Sequence, residues 1–255
     1  MAGWTAEEMM TVAAARLLKD GTVCFVGIGL PSAAANLARL THAPEIVLIY
    51  ESGTIGAKPT ALPLSIGDGE LAETADAVVS VPEMFRYWLQ GGRIDVGFLG
   101  AAQLDRYGTI NTTAIGPYAT PSVRLPGAGG APEIAILAGE VFIILRHGKR
   151  ALVDRLDFVT SRGFLPGDEV KGAGLRGKGP TVLVTDLGIL KPDPETREFT
   201  LVALHPGVTV QQAKDATGWP LKVADDLAET PPPTAAELDA LRALNERTRR
   251  AHDGG

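Results

Sequence analysis

The sequence predicts an α/β protein with an open, mostly parallel sheet and flanking helices. Thirty glycines and eighteen prolines are spread along the 255 residues without a repeat, which is typical of folds in which tight turns join many short elements. Residues 22–40 are predicted to form a strand, a glycine loop and a helix in that order. The hydrophobic content of 45% is ample for a sizeable core, in one large domain or two small ones.

The remaining elements alternate in the same way. Thr5 and Glu8 form a capping-box pattern that opens a first helix, and Thr234 and Glu237 form another that opens a last helix after a proline-rich linker. We therefore predict a main domain over residues 1–225 and a linker with a C-terminal helix over residues 226–255. Further predicted strands are residues 77–81, 94–100, 141–145, 151–153, 181–185 and 199–204, with a helix at 82–89 whose aromatic residues pack in the core or an interface and a polar turn at 103–111.

The first glycine loop joins the strand predicted at residues 22–26 to the helix predicted at residues 32–40. A loop such as Gly27-Ile-Gly29 lets a ligand approach the backbone and directs helix amides at an anion, although close helix packing alone would require the same glycines. The dinucleotide fingerprint needs a third glycine where Ser32 stands. NAD binding is therefore not predicted.

Glu51 is the leading candidate for a catalytic residue. The β-branched and aromatic run at residues 46–50 predicts a buried strand, which Gly53 and Gly56 end. Glu51 is then expected at the carboxyl end of a strand, where ligands bind in open α/β sheets. Apolar surroundings leave a carboxyl group sparsely solvated, which raises the pKa and the reactivity of such a group. A carboxylate in an ordinary surface turn has the same local pattern, and the residues alone leave both interpretations open.

A second glycine-rich segment spans residues 124–132. Gly127, Gly129 and Gly130 together can expose consecutive backbone amides as an anion nest, which is what an oxyanion hole requires. A merely flexible loop fits the sequence equally well.

A third glycine-rich segment, at residues 172–180, nearly matches a P-loop. Gly179 replaces the Ser or Thr that would hold magnesium, and Pro180 blocks the helix that such a loop must open, so ATP binding is excluded. The basic residues of this segment are expected in an exposed hairpin, with contact to an anionic ligand or a partner as the alternative: Lys171, Arg176 and Lys178.

The histidines and the cysteine carry no catalytic signature. The four histidines, at positions 42, 147, 205 and 252, show no metal-ligand spacing, and no Gly-x-Ser-x-Gly motif occurs. Metal and serine-hydrolase chemistry are therefore not predicted, and His205 is expected to be structural. Cys24 is the single cysteine, so the chain cannot form an internal disulfide. It lies in an apolar run, which indicates a buried thiol rather than a nucleophile.

Charge and hydropathy exclude several classes of partner. A formal net charge of −6 argues against nucleic acid and anionic membranes, both of which need clustered Lys and Arg. The N-terminus has acidic residues where a signal peptide needs basic ones, and no apolar run approaches the roughly 18 residues of a membrane span. We expect a cytoplasmic protein that binds neither nucleic acid nor membrane.

The ordered set of motifs resembles the class I coenzyme A transferases, specifically their β subunits, over nearly the whole chain. The matching segments are Gly-Ile-Gly-Leu-Pro at 27–31, Tyr-Glu-Ser-Gly at 50–53, Gly-Arg-Ile-Asp-Val-Gly-Phe-Leu-Gly-Ala-Ala-Gln at 92–103, Gly-Ala-Gly-Gly at 127–130, Thr-Asp-Leu-Gly at 185–188 and His-Pro-Gly-Val at 205–208. Many members carry Ser-Glu-Asn-Gly around the nucleophile, whereas Tyr-Glu-Ser-Gly is closer to the glutaconate branch.

The resemblance implies a class I CoA-transferase-like fold and ping-pong catalysis. Glu51 would attack an acyl-CoA thioester and pass through a mixed anhydride to an enzyme-bound γ-glutamyl-CoA thioester, without a metal or redox cofactor. Gly129 or Gly130 would donate to the oxyanion, and Gln103 is a further candidate for a ligand contact. The other glycines expected near the CoA site and the active centre are Gly27, Gly29, Gly53 and Gly127.

The same resemblance implies partners and competing functions. An α subunit would supply much of the CoA pocket, in an α2β2 assembly, and the acid substrate would be a glutaconate-like dicarboxylate or a 3-oxo acid. Relatives on this fold that act as CoA-ester hydrolases or decarboxylases lack the glutamate at this position, and others are non-catalytic sensors or regulatory subunits. The presence of Glu51 favours the transferase.

Overall fold

The computed structural model describes residues 3–164 and 177–253, and the chain divides into two compact units. Unit 1 comprises Met1–Phe98 and Pro232–Gly255, and unit 2 comprises Leu99–Pro231. The last helix therefore belongs to unit 1, whereas the sequence suggests a separate segment from residue 226. Most of the basic glycine-rich segment, including Lys171 and Arg176, lies outside the described residues.

Helices and short strands alternate along the chain. In order, they are α1 Ala6–Ala15, β1 Val23–Val26, α2 Leu30–Leu40, β2 Val47–Ile49, β3 Thr54–Ile55, α3 Gly69–Glu73, β4 Ala77–Val78, α4 Val81–Glu83, a π-helix Met84–Leu89, β5 Val96–Gly100, β6 Gln103–Leu104, β7 Ile110–Asn111, β8 Ala114–Ile115, β9 Val123–Arg124, α5 Ala131–Leu137, β10 Glu140–Ile144, β11 Pro180–Val184, β12 Gly188–Pro192, β13 Phe199–Leu204, α6 Val210–Asp215, β14 Val223–Glu229 and α7 Ala235–Asp253.

Unit 1 contains a sheet with the strand order β5-β1-β2-β3-β4. Strands β5, β1 and β2 are parallel, while β3 and β4 add antiparallel pairs at the edge. Helices α1, α2 and α7 pack against one another, and α2 also packs on β1. The buried faces of these elements are rich in Ala, Leu and Met, because close helix packing favours small side chains between larger ones.

Unit 2 contains the strand order β14-β13-β12-β11-β10. The pairs β10–β11 and β13–β14 are parallel, and β12 is antiparallel to both of its neighbours. Helix α5 packs on β10, and the unit also contains helix α6 and two small hairpins, β6–β7 and β8–β9. The predicted α/β class, with parallel strands and flanking helices, is confirmed.

Several predicted elements differ in extent. The strand expected over residues 77–81 stops at Val78, because Ser80 and Glu83 form a capping box that starts a helix. That helix widens into a π-helix, in which Met84 is buried while Tyr87 is exposed, so the aromatic residues are only partly packed. The segment over residues 151–153 contributes a single bridge, from Leu152 to Leu104, in place of the predicted strand.

The polar turn expected over residues 103–111 is in fact a hairpin of β6 and β7. Gln103 pairs with Asn111 across it, and both side chains are buried. Their polar groups are bonded to each other and to neighbouring groups, which allows polar residues to occupy a core position. Across residues 3–164 and 177–253, none of the helices combines the length and the apolar character that a membrane span requires.

Candidate active site

The carboxyl ends of three parallel strands in unit 1 meet at one edge of the sheet. Phe25 of β1 is in register with Ile49 of β2, and Val26 is in register with Phe98 of β5. Continuing the first register by two residues brings Gly27 level with Glu51. This register directs the first glycine loop and the Glu51 turn to the same edge of the sheet, where ligands bind in α/β proteins.

Glu51 lies in a tight turn directly after β2, as predicted, and its side chain is half-buried. The N–H of Tyr50 donates to the carbonyl of Thr54 at 3.1 Å, and the N–H of Gly53 donates to the carbonyl of Tyr50 at 3.0 Å. Both bonds close the turn across Glu51. The carboxylate is thus carried by an ordered backbone, with partial access to solvent.

Gly53 fixes the far side of this turn. Its φ is +102°, in the region that favours glycine, and a Cβ added there would lie 2.0 Å from the carbonyl oxygen of Val79. The N–H of Val79 in turn donates to the carbonyl of Gly53 at 2.9 Å. Gly53 is therefore required for the close approach of two backbone segments, and this approach holds the Glu51 turn against the segment after β4.

A buried polar cluster lies on the other side of the turn. The Tyr50 side chain is fully buried, and its hydroxyl lies 3.0 Å from Ser32 Oγ and 3.2 Å from Asn36 Nδ2 on helix α2. Burial raises the pKa of the Tyr50 hydroxyl, so the phenol stays protonated at neutral pH. Arg39 donates to Asn36 Oδ1 at 3.2 Å and to the carbonyl of Pro59 at 2.8 Å, which extends the cluster.

The two glycines of the first loop have different roles. The Gly27 N–H donates to the carbonyl of Phe98 at 3.0 Å, and a Cβ at Gly27 would meet that same oxygen at 3.0 Å, so close packing favours this glycine. Gly29 has a φ of +83° with open space beside its Cα, and it forms the N-cap of α2 without a capping side chain. The N-terminal amides of α2 near this loop are therefore not capped by a side chain.

The second glycine segment lies in unit 2, and only part of it has uncommitted amides. Two hydrogen bonds join Thr112 to Gly127. The Gly127 N–H donates to the Thr112 carbonyl at 2.8 Å, and Thr112 Oγ1 donates to the Gly127 carbonyl at 2.8 Å. Among the residues that the structure describes, no acceptor receives a hydrogen bond from the Gly129 or Gly130 amide. Gly130 is buried, whereas Gly129 is exposed.

Gln103 is committed to internal hydrogen bonds in unit 2. Its Nε2 donates to Asp157 at 2.8 Å, while its Oε1 accepts from Asn111 Nδ2 at 2.7 Å and from the Asp157 N–H at 3.2 Å. A ligand contact by this side chain would have to replace one of these bonds. The role of Gln103 in ligand binding stays a prediction.

The histidines of unit 2 form a structural cluster. His205 is buried, with Nδ1 2.8 Å from Thr230 Oγ1 and Nε2 2.7 Å from the carbonyl of Thr185, so Nε2 carries the proton. The structural role predicted for His205 is confirmed. Burial lowers the pKa of His147 to about 4, and its two ring nitrogens lie within 3.0 Å of the hydroxyls of Thr185 and Thr217.

Cys24 is fully buried, and burial raises the pKa of its thiol, which confirms the inert role predicted for it. In the described part of the chain, no three His, Cys, Asp or Glu side chains are grouped so that they could hold a metal ion.

Sequence reasoning missed the side chains that support these loops. Ser32 and Asn36 are polar residues one turn apart in an alanine-rich helix, and this spacing was a usable signal for a buried polar contact. No local signal pointed to Thr112. Its partner, Gly127, lies in a glycine-rich loop that the sequence alone cannot place in space.

Comparisons with known proteins identify relatives over most of the chain. A sequence model of the family described as coenzyme A transferase matches residues 7–216. The chain is 64% identical over 253 residues to the B-type subunit of 3-oxoadipate CoA-transferase from Pseudomonas knackmussii, with 99% of this chain and 97% of that protein covered. It is 35% identical over 243 residues to the B-type subunit of glutaconate CoA-transferase from Acidaminococcus fermentans, with 92% and 91% covered.

The crystal structure of glutaconate coenzyme A-transferase from Acidaminococcus fermentans has the same fold. It matches with a TM-score of 0.86 at 32% identity, over 94% of each chain. The resemblance drawn from the ordered motifs and the fold that it implied are both confirmed.

Proposed function

The chain belongs to the coenzyme A transferase family, and from that premise we propose that it transfers CoA between an acyl-CoA and a carboxylic acid through a covalent thioester on Glu51. The observation that carries this proposal is the placement of Glu51. A half-buried carboxylate stands at the carboxyl end of a parallel strand, in a turn whose backbone is closed by hydrogen bonds on both sides. This is the arrangement that a positioned nucleophile requires.

The first half-reaction forms the thioester in two steps. An oxygen of the Glu51 carboxylate attacks the thioester carbonyl, the carbon–sulfur bond breaks, and CoA leaves as a thiolate. This gives a mixed anhydride of Glu51 and the donor acid. The thiolate then attacks the glutamyl carbonyl, the donor acid leaves as a carboxylate, and Glu51 is joined to CoA. The acceptor carboxylate reverses both steps, which restores the free Glu51 carboxylate and predicts ping-pong kinetics.

Each step passes through a tetrahedral oxyanion that needs hydrogen-bond donors. The amides of Gly129 and Gly130 are our candidates, because no described residue accepts from them. Gly127 would shape the loop rather than donate, since its amide is bonded to Thr112. Loss of one preorganised donor in such a site costs about 100- to 1000-fold in rate. The chain's own groups supply the nucleophile, and we propose no metal or redox cofactor.

The acid substrate that we favour is a 3-oxo acid of the 3-oxoadipate type. The support is the identity of 64% to a protein named as a 3-oxoadipate CoA-transferase component, against 35% to the glutaconate enzyme. Both relatives are named as one subunit of a larger enzyme, so we also propose that this chain acts with a separate α subunit. An α2β2 assembly in the cytoplasm is the form that we expect.

The experiment is intact-mass analysis of the chain, co-expressed with its α subunit, after exposure to succinyl-CoA without an acceptor. We expect a CoA adduct that maps to Glu51 by peptide mass and is removed by hydroxylamine. The Glu51→Gln variant should remain folded and form no adduct. Catalytic release of free CoA without an adduct would identify a thioester hydrolase instead. Absence of both adduct and turnover would favour a non-catalytic subunit.

A further inference from the structure

Tyr50 links the turn that carries Glu51 to helix α2. Its backbone closes the turn that carries Glu51, through the bonds to Thr54 and Gly53. Its side chain reaches in the other direction, to Ser32 and Asn36 on helix α2. Because Glu51 is the next residue in the chain, any movement of Tyr50 moves the Cα of Glu51 with it.

The orientation of the Asn36 amide in this cluster can be assigned. Arg39 can only donate, so the Asn36 oxygen faces Arg39 and the Asn36 Nδ2 faces the opposite way. This Nδ2 donates to the Ser32 carbonyl at 3.0 Å and to the Tyr50 hydroxyl oxygen at 3.2 Å. The Tyr50 hydroxyl and Ser32 Oγ lie 3.0 Å apart and share a further hydrogen bond, in which either oxygen can be the donor. The phenol oxygen is thus held by two side chains of helix α2.

Packing alone does not account for a tyrosine here. A phenylalanine would fill the same volume without the cost of burying a hydroxyl, and a buried hydroxyl is tolerated only when it is hydrogen-bonded. The hydroxyl ties the ring to two defined points on α2, whose N-terminal loop lies level with Glu51. A phenylalanine ring, which lacks these hydrogen bonds, would be held in place by van der Waals packing alone.

We propose that Tyr50 is a positioning residue for Glu51, with its hydroxyl held by Ser32 and Asn36 so that the carboxylate keeps its attack geometry. This inference rests on the proposed function, because it assigns the role through thioester formation. Tyr50 does not act on the substrate. It reduces the range of positions that the Glu51 turn can adopt, and a reacting group displaced by about 1 Å loses about 100-fold in rate.

The test compares Tyr50→Phe, Ser32→Ala and their double variant, each co-expressed with the α subunit. Single-turnover formation of the Glu51 thioester is measured at saturating succinyl-CoA and normalised to folded protein by circular dichroism. We expect Tyr50→Phe to slow thioester formation about 10-fold while the apparent Kd for succinyl-CoA changes less than about 2-fold. The double variant should be no slower than Tyr50→Phe, because both changes break the same hydrogen bond.

Tyr87→Phe is the matched control, since it removes a hydroxyl from an exposed tyrosine of the same unit and should leave the rate unchanged. If the wild type forms its adduct normally and Tyr50→Phe forms it at the same rate per folded molecule, the inference about Tyr50 is overturned while the proposed function stands. A wild type that forms no adduct would overturn the proposed function. If Tyr50→Phe does not fold, Ser32→Ala, which keeps the ring in place, provides the test. Slower thioester formation than in the wild type would support the inference, and an unchanged rate would overturn it.

Discussion

Gly53 and Val79 approach each other so closely that no side chain fits between them. A Cβ on Gly53 would lie 2.0 Å from the Val79 carbonyl oxygen, a distance that real Cβ atoms essentially never show. The approach is reinforced by the hydrogen bond from the Val79 N–H to the Gly53 carbonyl. Since Gly53 stands two residues after Glu51, this contact fixes one side of the nucleophile turn while Tyr50 fixes the other.

Replacing Gly53 with alanine should therefore damage both stability and activity. The backbone must leave its positive φ or push Val79 away, and we expect a loss of about 2–4 kcal/mol in the free energy of unfolding. Thioester formation should fall at least about 10-fold, because the turn moves with Gly53. Urea denaturation and single-turnover mass analysis measure the two effects.

Gly21→Ala is the matched control for this change. Gly21 also has a positive φ, of +73°, but a Cβ there meets nothing within 4 Å, and the residue lies between α1 and β1. We expect a loss of about 1 kcal/mol from the backbone conformation alone, with normal thioester formation per folded molecule. Equal effects of Gly21→Ala and Gly53→Ala would show that the close contact with Val79 has no special cost.

Shortening the proposed nucleophile by one methylene should nearly abolish activity. In Glu51→Asp the carboxylate is retained but retracted by about 1 Å, so we expect kcat to fall at least about 100-fold with the fold intact. Glu51→Ala, which has no carboxylate, should show no measurable acyl exchange. Glu45→Asp is the control, because Glu45 is an exposed carboxylate just before the same strand. Steady-state transfer from succinyl-CoA to 3-oxoadipate measures all three.

Two ion pairs join the last helix to helix α1 and its C-cap, Arg242 with Glu8 and Arg16 with Glu237, and the second is the less exposed of the two. Arg16 donates to both oxygens of Glu237 at 2.7 Å, and the same carboxylate accepts from the Thr234 N–H and hydroxyl. Burial acts to raise the pKa of Glu237, but the bonds from Arg16 and Thr234 outweigh it and hold that pKa at about 2. Because the folded pKa lies below the unfolded value, the stabilisation is present above about pH 4.5 and is lost as pH falls towards 2.

Glu237→Gln should therefore destabilise the chain by about 2 kcal/mol at pH 7, measured by urea denaturation. Glu246→Gln provides the comparison, because Glu246 pairs with Arg249 and Arg250 within the exposed face of the same helix. Such surface pairs contribute little, so we expect less than about 0.5 kcal/mol. A Glu237→Gln variant as stable as Glu246→Gln would contradict the role of this pair in docking α7.

Local sequence patterns predicted the features that depend on interactions between residues close together in the chain. The β-branched run before Glu51 gives a buried strand in any compact fold, and the glycines after it end the strand, so the carboxylate could be placed at a strand end. The capping boxes at Thr5 and Thr234 likewise mark helix starts within a few residues.

Features that depend on distant partners could not be predicted. Gln103 looked like part of an exposed polar turn, because its partner Asp157 lies 54 residues further along the chain. The π-helix at Met84–Leu89 has no distinct sequence signal, since an insertion of one residue per turn is decided by packing. The hydroxyl of Tyr50 could be matched to Ser32 and Asn36 only once β2 and α2 were placed side by side.

Stability should fall as pH decreases below 6.5, because of half-buried His147 and buried His205 in unit 2. The folded pKa of His147 is about 4, against an ordinary value of 6.5, and burial also lowers the pKa of His205. Between pH 4 and pH 6.5, His147 binds a proton more readily in the unfolded chain than in the folded one, so acid favours unfolding. We expect a loss of about 2 kcal/mol between pH 6.5 and 4.5, before the carboxylate of Glu237 begins to contribute.

His147→Gln should be less stable than the wild type at pH 7 but should lose less stability on acidification, because one titrating ring is gone. Thr217→Val is the control. It removes the hydroxyl 2.9 Å from His147 Nε2 and keeps the ring, so it should lower stability while retaining the pH dependence. Urea denaturation at pH 7.0, 6.0, 5.0 and 4.5 compares the three proteins over the range of that titration. A wild-type free energy of unfolding that stays constant across this range would show that His147 is not held neutral by the fold.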